Sequence, residues 1–87
     1  MMNMKGGVAV VTGGASGLGK AMAEEAARRG MKVVIADVEA GAMEQAVADL
    51  RAGGGEAIGV LTDVTSAASV EALAVATEQH FGPANLL

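Results

Sequence analysis

Three short runs of aliphatic residues, each followed by a stretch whose apolar residues recur at helical spacing, leave this chain few possible folds. Val8, Ala9, Val10 and Val11 form the first run, which ends at Thr12 and a glycine-rich turn. A run apolar on both faces suits a strand buried in a parallel sheet. From Gly17 the period changes. Leu18, Met22, Ala26 and Arg29 form a helical stripe, and Gly30 is placed to close that helix as a left-handed cap. Val33, Val34, Ile35 and Ala36 make a second strand ending at Asp37, and Ala40, Met43, Val47 and Leu50 mark a second helix that dissolves in Gly53, Gly54 and Gly55. Ala57, Ile58, Gly59, Val60 and Leu61 make a third strand, ending at Asp63. Val70, Leu73, Ala74, Thr77 and Phe81 then stripe a third helix, stopped by Gly82 and Pro83.

The order β-α-β-α-β-α, with short connections, implies right-handed crossovers and a parallel sheet, an α/β fold. Asn85, Leu86 and Leu87 begin a fourth strand, at which point the chain ends, so we expect a truncated domain. Composition closes off other classes. At 87 residues and net charge −4, with no basic stripe, the chain offers no nucleic-acid footprint. No cysteine and a single His leave no thiolate or His-based metal site. No apolar run approaches the ~20 residues that span a bilayer, and no cleavable export segment is apparent. We expect a soluble, cytoplasmic chain with neither nucleic-acid nor membrane partner.

The chemistry is concentrated in Thr12-Gly13-Gly14-Ala15-Ser16-Gly17-Leu18-Gly19. A helix starting here points unpaired N–H groups and the positive end of its dipole above the turn, which suits a phosphate or pyrophosphate. A glycine loop that binds nothing is the bland alternative, but four glycines just after a buried strand exceed what a turn needs. The dinucleotide pattern G-x-G-x-x-G fails because Met22 stands at its last position. The pattern G-x-x-x-x-G-K-[ST] nearly fits from Gly14 to Lys20, but Ala21 replaces the hydroxyl that would hold Mg²⁺. A third pattern, T-G-x-x-x-G-x-G, matches at Thr12, Gly13, Gly17 and Gly19.

That third pattern resembles the nucleotide-binding motif of the short-chain dehydrogenase/reductase family. The likeness extends along the chain. Asp37 ending the second strand, the pair Asp63-Val64 ending the third, and Phe81-Gly82 before a fourth all stand where that family has them. The resemblance implies a partial NAD(P)-binding domain over residues 1–87: the N-terminal βαβαβα part of a doubly wound, Rossmann-type sheet. In the strand order 3-2-1-4 the first strand neighbours the fourth; without it, that strand becomes an apolar edge that invites weak folding or self-association.

Asp37, at the carboxyl end of its strand, is placed to accept both hydroxyls of an adenosine ribose and to repel a 2′-phosphate. Neither Val38 nor Ser16 supplies a cation for that phosphate, so NAD is favoured over NADP. Alternatively, Asp37 caps the second helix, a role compatible with the first. By resemblance, Asp63 bonds the adenine amino group with the Val64 backbone at the ring edge, Ser16 lies by the ribose-phosphate, and Leu18 packs beneath the nicotinamide-side ribose. Their plainer readings are a turn at Asp63 near the caps Thr65 or Ser66, a cap at Ser16, and a first core residue at Leu18. His80 suits the last turn of a helix. Lys20, Arg28 and Arg29 are solvated faces, with Lys20 within possible reach of a phosphate.

In the resembled family a tyrosine, with a lysine four residues later, moves the proton, and a serine and an asparagine assist. This sequence has no tyrosine, and no catalytic residue is assigned in it. The resemblance implies an intact oxidoreductase acting on a small alcohol or carbonyl, homo-oligomeric, of which this chain is the inactive adenosine-binding half. A stand-alone, non-catalytic nucleotide-binding module is the alternative.

Overall fold

Strand β1 (Val8–Thr12) leads into helix α1 (Gly17–Arg28), followed by β2 (Lys32–Asp37), α2 (Ala40–Ala52), β3 (Ala57–Leu61), α3 (Ala67–Phe81) and the short β4 (Asn85–Leu86). The structure is a computed structural model, and it describes residues 7–13, 17–81 and 85–86. All strands run parallel in the order β3-β2-β1-β4. The chain thus steps outward from β1 through β2 to β3, then returns to the other side of β1. This reversal is the switch point of a doubly wound sheet, at which such folds hold ligands.

Because side chains alternate across a strand, one sheet feeds two cores. Ala9, Val11, Val33, Ile35 and Ala57 face α1 and α2, where they meet Ala23, Ala26, Met43, Val47 and Leu50. Val8, Val10, Val34 and Ala36 face α3 and meet Leu73, with Ile58, Val60 and Phe81 at the margin. This two-sided burial is why the strands carry continuous aliphatic runs rather than an alternating pattern.

Both crossover helices facing the larger core end in the same way. Gly30, at φ +82°, donates to the Ala27 carbonyl while Met31 donates to that of Ala26. Gly54, at φ +90°, and Gly55 repeat the arrangement on Arg51 and Leu50. These paired bonds satisfy carbonyls that a helix end leaves open, and the left-handed residue they need is glycine. The expected cap at Gly30 is therefore present.

Several expected stripe positions shift. Leu18 is 78% exposed, so it is not the first core residue. Arg29 lies past the end of α1, on the surface, bonded to Glu25. The face α1 buries is that of Ala23 and Ala26, because only small residues let the helix approach the sheet closely. In α2, Ala40 is exposed and Ala46 buried. In α3 the buried face narrows to Leu73 and Thr77, with Val70 and Ala74 exposed, because α3 is the only described helix on its side. Finally, β1 is not a bare edge: β4 pairs with it at Ala9↔Asn85 and Val10↔Leu86. Leu87, Gly82 and Pro83 lie outside the described residues.

Candidate functional site

Register brings the carboxyl ends of three strands to one rim, since Thr12 is paired with Ala36, and Asp37 with Leu61. The turns that follow them therefore open side by side. Gly13, at φ +67°, directs its N–H onto the Ala36 carbonyl at 2.7 Å, tying the first turn to β2 one residue before Asp37. A residue bearing a Cβ is strained at that φ. Yet a Cβ at Gly13 or Gly17 meets no described atom within 4 Å. Backbone conformation, not crowding among the described residues, requires glycine at Gly13. Helix α1 starts from this turn with no acidic side chain in its first turn to offset its N–H groups. Gly19 sits half-buried in that first turn of helix. Ser16, the remaining predicted contact on this turn, lies outside the described residues, as do Gly14 and Ala15.

Asp37 is half-buried at the end of β2. Its Oδ1 accepts from the N–H groups of Val38 at 2.7 Å and Glu39 at 3.1 Å. The capping residue of α2 is Glu39, whose side chain makes no capping hydrogen bond. The helix-cap reading of Asp37 is thus replaced by a different local role, in which its carboxylate braces the turn ahead of the helix.

Asp63 is exposed and fixed on several sides. Its N–H donates to Ser69 Oγ at 2.8 Å, and its carbonyl accepts from Ser66 N–H at 3.0 Å. Its Oδ1 accepts from both the N–H of Thr65 at 2.9 Å and the Thr65 hydroxyl at 2.6 Å. Those two bonds hold the carboxyl below its ordinary range. Of the two predicted caps, Ser66 serves α3, its Oγ accepting from Ser69 N–H at 3.3 Å.

The same three strand ends carry exposed aliphatic side chains. Leu18 in α1, Val38 after β2 and Val64 after β3 are 78%, 60% and 60% exposed. A lone exposed aliphatic is ordinary, but these three each lie just past the carboxyl end of a strand, on the rim that also carries Asp37 and Asp63. Sequence reasoning registered only that Val38 is not a cation and missed its exposure. Its signal was an aliphatic residue placed just outside a buried strand.

Lys20 is engaged elsewhere, bonding Asp49 on α2 at 3.0 Å. His80 is exposed at the far end of α3, its ring 6.2 Å from that of Phe81. Among the described residues no group of His, Cys, Asp or Glu is arranged to hold a metal. No described helix is long and apolar enough to cross a membrane.

Three exposed carboxyls have lowered affinity for protons: Glu25 beside Arg29 and Arg28, Asp49 beside Lys20 and Gln45, and Asp63 beside Thr65. A carboxyl whose affinity for protons falls on folding adds stability above its unfolded pKa of about 4 and loses it as pH drops below that value. The urea midpoint is therefore expected to hold steady from pH 7 to about 5 and decline toward about pH 2. Salt at about 1 M should shrink the Glu25 contribution and the Lys20 share of that of Asp49, and spare that of Asp63, whose donors are neutral.

The sequence profile described as short chain dehydrogenase matches residues 7–87. The chain is 46% identical over 79 residues to 2,5-dichloro-2,5-cyclohexadiene-1,4-diol dehydrogenase of Sphingobium indicum, covering 91% of this chain and 32% of that protein. It is 50% identical over 80 residues to cis-4-hydroxycyclohexanecarboxylate dehydrogenase of Sinomonas cyclohexanicum, covering 92% and 32%. Its fold superposes with a TM-score of 0.94 on a crystal structure of a short chain dehydrogenase/reductase from Burkholderia phymatum in complex with NAD. That match is at 50% identity and covers 99% of this chain and 31% of the other. The chain spans about a third of the length of the relatives it matches.

Proposed function

Because the chain belongs to the short-chain dehydrogenase family, we propose that it forms the adenosine and pyrophosphate half of an NAD site in an enzyme that transfers hydride between NAD and an alcohol or carbonyl. The observation that carries this reading is the tie between the glycine turn and β2, which sets Asp37 beside the mouth of the turn. The start of α1 at Gly17 and Gly19 offers unpaired backbone N–H groups to a pyrophosphate, and no described atom crowds Gly13 or Gly17. Asp37 accepts the ribose hydroxyls, and its charge disfavours a 2′-phosphate. Asp63 takes the adenine amino group, with Val64 and Val38 against the base. Leu18 lies under the nicotinamide-side ribose, and Ser16 by the ribose-phosphate.

When bound, the nicotinamide supplies the hydride acceptor or donor. The proton that accompanies hydride transfer needs an acid or base, for which no residue of this chain is assigned. The reading carries with it a small-molecule substrate, a homo-oligomeric intact enzyme and a cytoplasmic location. The names of two relatives, both dehydrogenases of cyclic alcohols, support the alcohol or carbonyl class.

Calorimetric titration of the chain with NAD, NADP and ATP tests the site. Saturable NAD binding, tighter than NADP and indifferent to Mg²⁺, is expected. Binding of ATP alone, dependent on Mg²⁺, would overturn the dinucleotide reading in favour of an NTPase-like turn.

A further inference from the structure

Every hydrogen-bonding group of Asp63 except Oδ2 has a partner among the described residues. The N–H is held by Ser69, the carbonyl by Ser66, and Oδ1 by two donors of Thr65. An exposed carboxylate ordinarily rotates among several rotamers and faces water, which costs it selectivity as an acceptor. Here that rotation is arrested from one side only. The backbone donor and the hydroxyl of Thr65 converge on one oxygen, and threonine's branched side chain is itself stiff at χ1.

We propose that Thr65 is a positioning residue for recognition of the adenine base, clamping Oδ1 of Asp63 so that Oδ2 is presented to the exocyclic amine. This rests on the reading that Asp63 faces the base. Thr65 touches no part of the ligand and acts through Asp63 alone. The lowered proton affinity of Asp63 agrees with the clamp, keeping the carboxylate ionised and acceptor-only.

The probes are NAD and nicotinamide hypoxanthine dinucleotide, in which an oxygen replaces the amine. The wild-type chain should prefer NAD about tenfold, the scale of one hydrogen bond to a charged acceptor at an exposed site. Thr65→Val, which keeps the shape and removes the hydroxyl, should cut that preference to about twofold. It should also raise the Asp63 carboxyl pKa, read by NMR. Thr65→Ser should restore both, and Thr65→Ala is a second hydroxyl-free variant. A merely structural role would weaken both dinucleotides equally and leave their ratio unchanged. If wild type discriminates and Thr65→Val and Thr65→Ala discriminate equally well, the positioning role is overturned and the Asp63 reading survives. If wild type does not discriminate, or binds neither dinucleotide, the Asp63 reading falls and this inference with it.

Discussion

Replacing Ile35 with alanine is expected to leave much of the population unfolded under conditions where the parent chain is folded. Ile35 is fully buried in the middle of β2, paired on one side with Val11 and on the other with Gly59. It lies in the core beneath α1 and α2, in the same cluster as Met43. Removing its outer carbons forfeits their burial and leaves a cavity, a combined cost of about 2–5 kcal/mol. Met43 already closes over Gly59, where a Cβ would lie 3.0 Å from its side chain. It can relax only partly into a hole beneath it, so we expect a loss of about 3 kcal/mol. Domains hold roughly 0.05–0.15 kcal/mol per residue, and small ones bury the least surface, so this is a large share of the total. Urea unfolding followed by circular dichroism gives the value. Val75→Ala, at a position 55% exposed on α3, should move the midpoint by less than about 0.5 kcal/mol. Equal losses at the two positions would show that the sheet is not packed between two cores as described.

Much of the fold was legible because it depends on local rules. Aliphatic runs buried on both faces read as strands of a parallel sheet, and a change of period at Gly17 and at Ala40 read as helices. Gly30 was legible as a stop because the left-handed cap it supplies is a property of one residue and its two neighbours. Which face of each helix turns inward was less legible. Leu18 sits on the apolar stripe of α1 but precedes the point where that helix reaches the sheet, so alanines do the burying and leucine faces out. Hydropathy alone ranks those residues the other way round.

At the site, residue types were legible and their local bonding was not. The acids ending β2 and following β3 could be named from position. That Asp37 braces the turn before α2, and that Thr65 clamps Asp63, depends on hydrogen-bond geometry set by turns with no period to read. The exposure of Val38 belongs to the same class. Val38 follows the strand end already marked by Asp37, and its exposure depends on the turn that leads into α2.

Asp37→Ala is expected to erase the preference for NAD over NADP that we propose for this site. A carboxylate that accepts two ribose hydroxyls loses charge-assisted bonds worth about 2–3 kcal/mol together when truncated, a 30- to 150-fold weakening of NAD. NADP should instead gain, because a 2′-phosphate no longer meets a fixed anion; that repulsion is about 1 kcal/mol in a screened, half-open site. The ratio of the two dissociation constants should therefore move by a hundredfold or more. The bonds Asp37 makes to Val38 and Glu39 create a competing explanation, since alanine removes those as well. Asp37→Asn separates the two. An amide oxygen still accepts from both N–H groups and keeps the turn, but it carries no charge to repel phosphate. If charge sets the preference, asparagine should recover most of the stability lost by alanine and still accept NADP nearly as well as alanine does. If Asp37 serves only to brace the turn, alanine should weaken both dinucleotides in the same proportion and asparagine should rescue both. Competition titrations of the two variants with NAD and NADP, read alongside their urea midpoints, distinguish these outcomes because one changes a ratio and the other changes only a common factor.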